Sequence, residues 1–139
     1  MAIIPITNSL VLINAVDLSD HVQKIDTTDS RSKVDITTMG ATSTVYTKGL
    51  GDASAKITFF NDWAAAKVHA TLQPLIGSTT PFTIEVRPVN SGRTATNPAF
   101  LMTALLFDYA FLSVSVGDAP TMDVEFTNAA SAGVTYPTS

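Results

Sequence analysis

Apolar and polar residues alternate in one short segment of this chain after another, and this alternation limits the folds open to it. The segments Ala53–Phe59 and Thr121–Thr127 show it most clearly, because every second residue in each is apolar. Successive side chains of a strand point to opposite faces of a sheet, so a period of two predicts half-buried strands. Further strands are predicted at Ser9–Ile13, Val16–Leu18, Val34–Thr38, Thr44–Thr47, Pro81–Val89, Phe100–Phe107 and Phe111–Val116.

One segment follows the helical period instead. Trp63–Leu72 is rich in alanine, and Asn61 or Asp62 in front of it suits a helix N-cap. Its apolar stripe is formed by Ala65, Val68, Leu72 and Leu75. Pro74 and Gly77 are predicted to end the helix. Strands at intervals of about ten residues and one helix predict a mainly β fold, a single-domain β-sandwich or barrel with one flanking α-helix.

The length of the chain fits one domain, residues 1–139, with a small, polar tail from about residue 128 to 139 that is predicted to be mobile. Charged residues make up only 14% of the chain, against about 25% in a typical soluble domain. A monomer normally keeps its surface charged, so we expect copies of the chain or a partner to cover part of this surface.

Charge and cysteine content exclude several functions. The net charge is −4 and the eight basic residues are scattered singly, which excludes tight binding to the phosphates of nucleic acid. There is no cysteine for a disulfide, a thiolate metal site or a nucleophile. The apolar first residues lack a basic region and are interpreted as a strand, and no apolar run reaches the ~18–20 residues of a membrane span, so no membrane partner is expected.

The segment TKGLGD, Thr47–Asp52, has the lysine and glycines of a phosphate-binding loop. Such a loop places Lys-Ser/Thr after its glycines and directly before a helix. Here Lys48 precedes both glycines and a predicted strand follows them, so Gly49 and Gly51 are interpreted as a structural corner.

Other chemistry is equally poorly supported. His21 and His69 are far apart and have no partner at metal-binding spacing, and the chain lacks the GxSxG motif of a nucleophile elbow. Asp123 and Glu125 fall on one face of a strand, about 7 Å apart, where they could act as acid and base, but a solvated face is favoured. No catalytic residue, metal or cofactor is therefore predicted.

The order of segments resembles that of the major tail tube proteins of long-tailed, siphovirus-type bacteriophages. Each segment is short, and the match covers most of the chain in the expected order. The resembling segments are VDLSDHVQKI (Val16–Ile25), SKVDITTMG (Ser32–Gly40), YTKGLGDASAKITFFND (Tyr46–Asp62) and NPAFLMTALLFDYAFLSVSVGDAPTMDVEFT (Asn97–Thr127).

The resemblance implies a non-enzymatic structural subunit of the virion tail, made in the cytoplasm of the host bacterium. Six subunits form a ring, and rings stack into a hollow tube through which double-stranded genomic DNA passes without specific binding. Implied partners are further copies of the chain, a tape measure protein, and tail tip and terminator proteins.

The resemblance also places two sets of residues. A loop that contacts the adjacent ring corresponds to Met39–Gly51. The residues expected at this inter-ring contact are Met39, Thr44, Tyr46, Lys48, Leu50 and Asp52. Asp123 and Glu125 are expected to face the lumen, where acidic groups would repel DNA and keep it mobile. Val34–Thr38 or Thr121–Thr127 is expected to join a sheet shared by neighbouring subunits.

Two other functions stay open at this point. The chain could be another self-assembling virion protein, such as a capsid decoration or tail terminator subunit, which would share the composition and the β fold. It could also be an enzyme or a small-ligand-binding protein, which predicts a soluble monomer with a pocket.

Overall fold

The computed structural model describes residues 3–139, which form one seven-stranded antiparallel sheet and one α-helix. The order across the sheet is β2-β1-β5-β6-β7-β4-β3. The prediction of a mainly β chain with one helix is confirmed. The elements are β1 (Leu10–Ile13), β2 (Val16–Asp17), a 3₁₀ turn (Ser19–His21), β3 (Val22–Asp35), β4 (Tyr46–Phe60), α1 (Val68–Ile76), β5 (Phe82–Arg87), β6 (Phe100–Leu106) and β7 (Thr121–Asn128).

The core lies on one face of the sheet, as the alternation predicts. Ile57 on β4 pairs with Val124 on β7, and both side chains are fully buried. Phe82 and Phe126 meet edge to face with 5.8 Å between ring centroids. The helix closes this core with the side chains of Val68, Leu72 and Leu75.

The helix begins later than the sequence predicts. Asp62 caps a turn instead of a helix, because its Oδ1 accepts a hydrogen bond from the Ala64 backbone N–H at 2.9 Å. Ala66 then adopts a φ of 61°, which breaks helical geometry before Val68. The predicted start at Trp63 is therefore wrong.

The end of the helix also differs from the prediction. The helix runs through Pro74 to Ile76, and Gly77 is its C-cap. Proline cannot donate to the carbonyl four residues earlier, and here that residue is the exposed Ala70, whose carbonyl can turn to water. Gly77 thus marks the end of the helix as predicted, whereas Pro74 lies inside it.

A long hairpin replaces two predicted connections. The polar residues of Asp26–Lys33 are typical of a loop, and Gly40–Gly51 of a connection around the predicted strand Thr44–Thr47. Instead, β3 and β4 pair from Val22↔Phe59 to Asp35↔Tyr46, with two shifts in register. β7 pairs with β4 only over Ser54–Phe60. Residues 30–52 of the β3–β4 hairpin therefore extend beyond the part of β4 that pairs with β7. We call this two-stranded ribbon the arm.

The predicted strand Phe111–Val116 is absent, because residues 107–120 run as an irregular segment between β6 and β7. Its alternation of apolar residues with serine is real, but no neighbouring strand of the described chain pairs with it. This segment is one of the principal exposed apolar parts of the molecule.

The C-terminal tail contacts the sheet. Thr135 forms an isolated bridge with Leu101, and Val134 is buried. The Tyr136 hydroxyl donates to Asp29 Oδ2 at 2.8 Å, and its ring meets Phe100 edge to face. These contacts attach the tail to β6 and β3, and the mobility predicted for residues 128–139 stays a prediction.

Candidate assembly surfaces

The arm exposes an unusual amount of apolar surface. Met39 and Leu50 are 102% and 88% exposed, close to the values for an extended chain. The exposed apolar residues of the arm are Val34, Ile36, Met39, Val45, Tyr46 and Leu50. So many exposed large apolar side chains on one short ribbon are typical of a protein–protein contact.

A β-bulge explains the glycine pair within the arm. Between the pairs Arg31↔Gly51 and Lys33↔Lys48, β4 has one residue more than β3. A Cβ at Gly49 would collide with the Ser32 hydroxyl, and a Cβ at Gly51 would approach the Arg31 guanidinium. The glycines therefore let the side chains of β3 lie across β4.

The structure brings the predicted inter-ring residues together on the arm. Met39 and Thr44 lie in the turn segment 36–45 that joins the two strands. Tyr46, Lys48, Leu50 and Asp52 lie on β4 itself. Within the predicted loop Met39–Gly51, residues 46–51 are therefore strand, since β4 begins at Tyr46, and residues 39–45 belong to the turn segment.

Two lysines stand directly opposite each other on the arm. Lys33 pairs in register with Lys48, and its Nζ lies 5.2 Å from the centroid of the Tyr46 ring. None of the ion pairs found within residues 3–139 includes either lysine. Like charges at opposed positions destabilise a hairpin, and within the described chain the Tyr46 ring offsets this for Lys33 only.

Asp123 and Glu125 lie on the solvent face of β7, as the alternation predicts. The Thr58 hydroxyl donates to Asp123 Oδ1 at 2.5 Å, and Glu125 stands opposite Lys56. Hydroxyl and charged side chains cover this polar face of three neighbouring strands. Its members are Lys24, Asp26, Thr28 and Ser30 on β3, Asp52, Ser54, Lys56 and Thr58 on β4, and Thr121, Asp123, Glu125 and Thr127 on β7.

Sequence reasoning missed an aromatic cluster at the opposite end of β4. The Phe111 ring lies 5.7 Å from Trp63 and 5.4 Å from His69, centroid to centroid. The His69 Nδ1 is hydrogen-bonded to the Tyr109 hydroxyl at 2.6 Å. Asn61 donates from Nδ2 to the Phe111 carbonyl at 3.0 Å, which holds residues 107–120 against the chain that leaves β4.

Exposed apolar residues surround this cluster. Phe111 is 56% and Trp63 42% exposed. We call the cluster and its surroundings the aromatic cap. It consists of Phe60, Trp63, His69, Tyr109 and the residues of 107–116 with exposed apolar side chains, which are Phe107, Phe111, Leu112, Val114 and Val116.

His21 has two carboxylate partners that its position in the sequence did not reveal. Its Nδ1 lies 2.7 Å from Asp20 Oδ1, and its Nε2 lies 2.7 Å from Asp62 Oδ2. The hydrogen bond with His21 lowers the pKa of Asp20. The Ala64 backbone N–H, followed by His21, lowers the pKa of Asp62. This bridge ties the 3₁₀ turn to the segment that precedes the helix.

Sites for chemistry are poorly supported in the described chain. No group of His, Asp and Glu side chains within residues 3–139 is arranged to hold a metal ion. An open groove of about 730 Å³ lies between β3 and the ends of β5 and β6. Val22, Ile25, Val86 and Phe100 line its apolar side, without a histidine among the lining residues. Among residues 3–139, no helix has the length and apolar character needed to cross a membrane.

The sequence matches no model of a known protein family and no curated protein, but the fold matches solved structures. A chain in the virion of a native gene transfer agent particle superposes with a TM-score of 0.72 at 9% identity, covering 94% of this chain and 95% of that one. A chain in the tail of an empty gene transfer agent particle, computed with C6 symmetry, gives a TM-score of 0.66 at 9% identity, covering 84% and 82%.

A third match is the SPP1 Dit protein, described as a hub of the adsorption apparatus in phages that infect Gram-positive bacteria. Its TM-score is 0.51 at 14% identity, covering 90% of this chain and 51% of Dit, so this chain spans about half the length of that protein. At these identities the matches establish the fold. The phage tail tube-like fold that the sequence resemblance implies is therefore confirmed.

Proposed function

We propose that this chain is a structural subunit of a phage-type tail tube. Six copies form a ring, and rings stack into a hollow conduit that delivers double-stranded genomic DNA. The observation that carries the proposal is a fold shared over most of its length with a chain of a C6-symmetric tail, combined with large apolar surfaces that the single chain leaves uncovered.

The free edge of the sheet supports contacts within a ring. β3 is the last strand in the sheet order and presents a 14-residue edge. An edge strand of that length exposes backbone N–H and C=O groups that readily pair with another chain. Of the two segments expected to join a shared sheet, Val34–Thr38 begins at the end of this edge. The other, Thr121–Thr127, is flanked by β4 along its length and by β6 only at its end.

The polar face suits the lumen of such a tube. Its four carboxylates outnumber its two lysines, so it does not offer the clustered positive charge that grips phosphates. We propose that this face, with Asp123 and Glu125, lines the channel and lets DNA slide past. A tape measure protein inside the tube, and tip and terminator proteins at its ends, complete the set of proposed partners.

Electron microscopy of the purified protein at rising concentration tests the proposal. We expect hollow tubes of uniform diameter whose cross-section averages to six subunits. Trimers or shell-like assemblies would instead identify a capsid decoration protein, and a monomer that binds a small ligand in the groove would identify a ligand-binding protein.

A second candidate is a tail hub subunit, favoured by the match to the SPP1 Dit protein. For such a subunit we expect a single closed ring that does not stack into a tube. Discrete rings that never stack, even at millimolar concentration, would select this function over a tube subunit.

A further inference from the structure

The aromatic cap has no role in the contacts described so far. We propose that it receives the arm of a second copy of the chain, so that the arm tip of one copy packs on the cap of the next. This inference rests on the proposed function and identifies the receiving surface for the stacking contact.

The positions of the two surfaces suit a contact between successive copies. The turn segment at the tip of the arm leads into Tyr46, the first residue of β4, and the cap begins at Phe60, the last residue of β4. Fourteen steps of about 3.3 Å separate the two residues by about 45 Å along the strand. One copy therefore cannot bring its own arm onto its own cap, and the two surfaces point to different neighbours.

Both surfaces need a partner for their apolar side chains. On the arm, Met39 and Leu50 have almost no contact with the rest of the chain, and on the cap, Val116 is 107% exposed. Apolar side chains left in water lose the stabilisation that burial would give them. The Trp63 and Phe111 rings of the cap already pack against each other, tilted by 60° with 5.7 Å between their centroids. A preformed apolar surface loses little conformational entropy on binding.

The charges identify which surface meets which. The arm has three basic and two acidic residues, with Lys33 opposite Lys48, whereas residues 107–120 carry Asp108 and Asp118 with no basic residue. Neither aspartate belongs to an ion pair found in the described part of the chain. Opposite charges across an interface fix its register and suppress wrong pairings. In the proposed contact, Asp108 and Asp118 on the cap of the next copy therefore neutralise Lys33 and Lys48.

The consequence is directional growth. Two different patches at opposite ends of a molecule make a heterologous contact, which repeats without closing when each copy is displaced along one axis. Copies that meet side by side through β3 close a ring, whereas copies that meet arm to cap extend the assembly.

Charge reversal tests the pairing. In the arm variant Lys33→Glu and Lys48→Glu are combined, and in the cap variant Asp108→Lys and Asp118→Lys are combined. The reference variant combines Gln73→Glu and Thr79→Glu, which add charge at exposed positions of α1 and the loop after it, outside the arm, the aromatic cap and β3. We expect the arm and the cap double variants each to raise the concentration needed for tubes by about tenfold or more, since two pairs become repulsive. The quadruple variant restores assembly, and the reference variant assembles at the wild-type concentration.

Nuclear magnetic resonance of the full-length chain provides a readout below the concentration at which tubes form. Amide signals of the arm and of residues 107–116 are expected to shift together as concentration rises, and to stop shifting in either double variant. Circular dichroism melting curves confirm that each variant is folded.

The outcomes separate this inference from the proposed function. Tubes that form equally well from both double variants, or a quadruple variant no better than either, would overturn the arm-to-cap pairing and leave the tube proposal standing. A wild-type chain that shows arm and cap shifts but assembles only into discrete rings supports the pairing and contradicts the tube. Concentration-dependent shifts confined to other surfaces would overturn the pairing.

Discussion

Trp63 shows how the position of one residue follows from its neighbours more than from its own type. The sequence predicts it in the first turn of a helix, packed on the sheet. The Asp62 turn and the positive φ of Ala66 instead place it at the surface, where it is 42% exposed and its ring packs at a tilt against Phe111. Whether Asp62 caps a helix or a turn depends on this tertiary packing, which no local pattern encodes.

Trp63→Ala therefore tests the aromatic cap. Truncating a buried tryptophan costs about 3–5 kcal/mol, but a half-exposed ring with one aromatic neighbour is expected to cost about 1 kcal/mol or less in the monomer. Urea denaturation measures this free energy of unfolding. The same variant is expected to weaken tube formation. A loss of 3 kcal/mol in the monomer would show instead that the ring belongs to the core.

The Asp62 bridge to His21 predicts a pH dependence. Because hydrogen bonds lower the pKa of Asp62 in the folded chain below its ordinary value of about 4, the carboxylate stabilises the fold above that pH. The stabilisation is lost as pH falls from about 4 through the lowered pKa. Asp62→Asn keeps the acceptor for Ala64 and removes the charge.

The wild type is thus expected to unfold at higher temperature than Asp62→Asn at neutral pH, and the difference is expected to shrink below about pH 4. Thermal unfolding followed by circular dichroism at a series of pH values measures it. A difference in unfolding temperature that grows as the pH falls would contradict a lowered pKa of Asp62 in the folded chain.

At the scale of elements, the sequence reveals strands wherever a strand has a buried face. Ala53–Phe59 and Thr121–Thr127 alternate because one side of each lies on the core, and both are strands in the structure. Residues 26–33 are polar on both faces and are predicted as a loop, yet they pair with β4 throughout. Residues 26–33 are held by backbone hydrogen bonds and none of their side chains is buried, so they leave no periodic signal.

The two assembly surfaces differ in how far they could be predicted. The family resemblance places Tyr46, Lys48 and Leu50 at a contact between rings, and the structure groups them on one arm. The strand predicted at Phe111–Val116 is wrong. Its alternation is typical of a strand, but the segment is exposed and irregular. The cap also depends on Trp63, which lies far away in the sequence.

The C-terminal tail offers a test at this scale. Tyr136→Phe removes the hydrogen bond to Asp29 and keeps the ring against Phe100. We expect faster amide hydrogen exchange at Thr135 and Leu101, whose backbone groups bond to each other, with little change at core positions such as Val124. Exchange at Thr135 that is already as fast as in an unfolded chain would show that the tail is mobile, as the sequence predicts.

At the scale of the whole molecule, one long strand separates two unlike ends, and one long edge runs along the side. β4 carries the arm at its start and the cap at its end, and β3 presents the free edge. A single chain with these surfaces leaves apolar residues and backbone groups unpaired, which its low charge does little to keep in solution. Stacked rings cover the two ends and the edge at once, and they leave the polar face open to a channel.

The most direct test of this account is a cryo-electron microscopy map of the assembly that the purified chain forms, with the structure fitted into it. We expect a six-fold tube in which each arm reaches the aromatic cap of the next ring and Asp123 and Glu125 face the lumen. An assembly that closes as a shell or a lone ring, or a tube whose lumen is lined mainly by lysine and arginine, would contradict it.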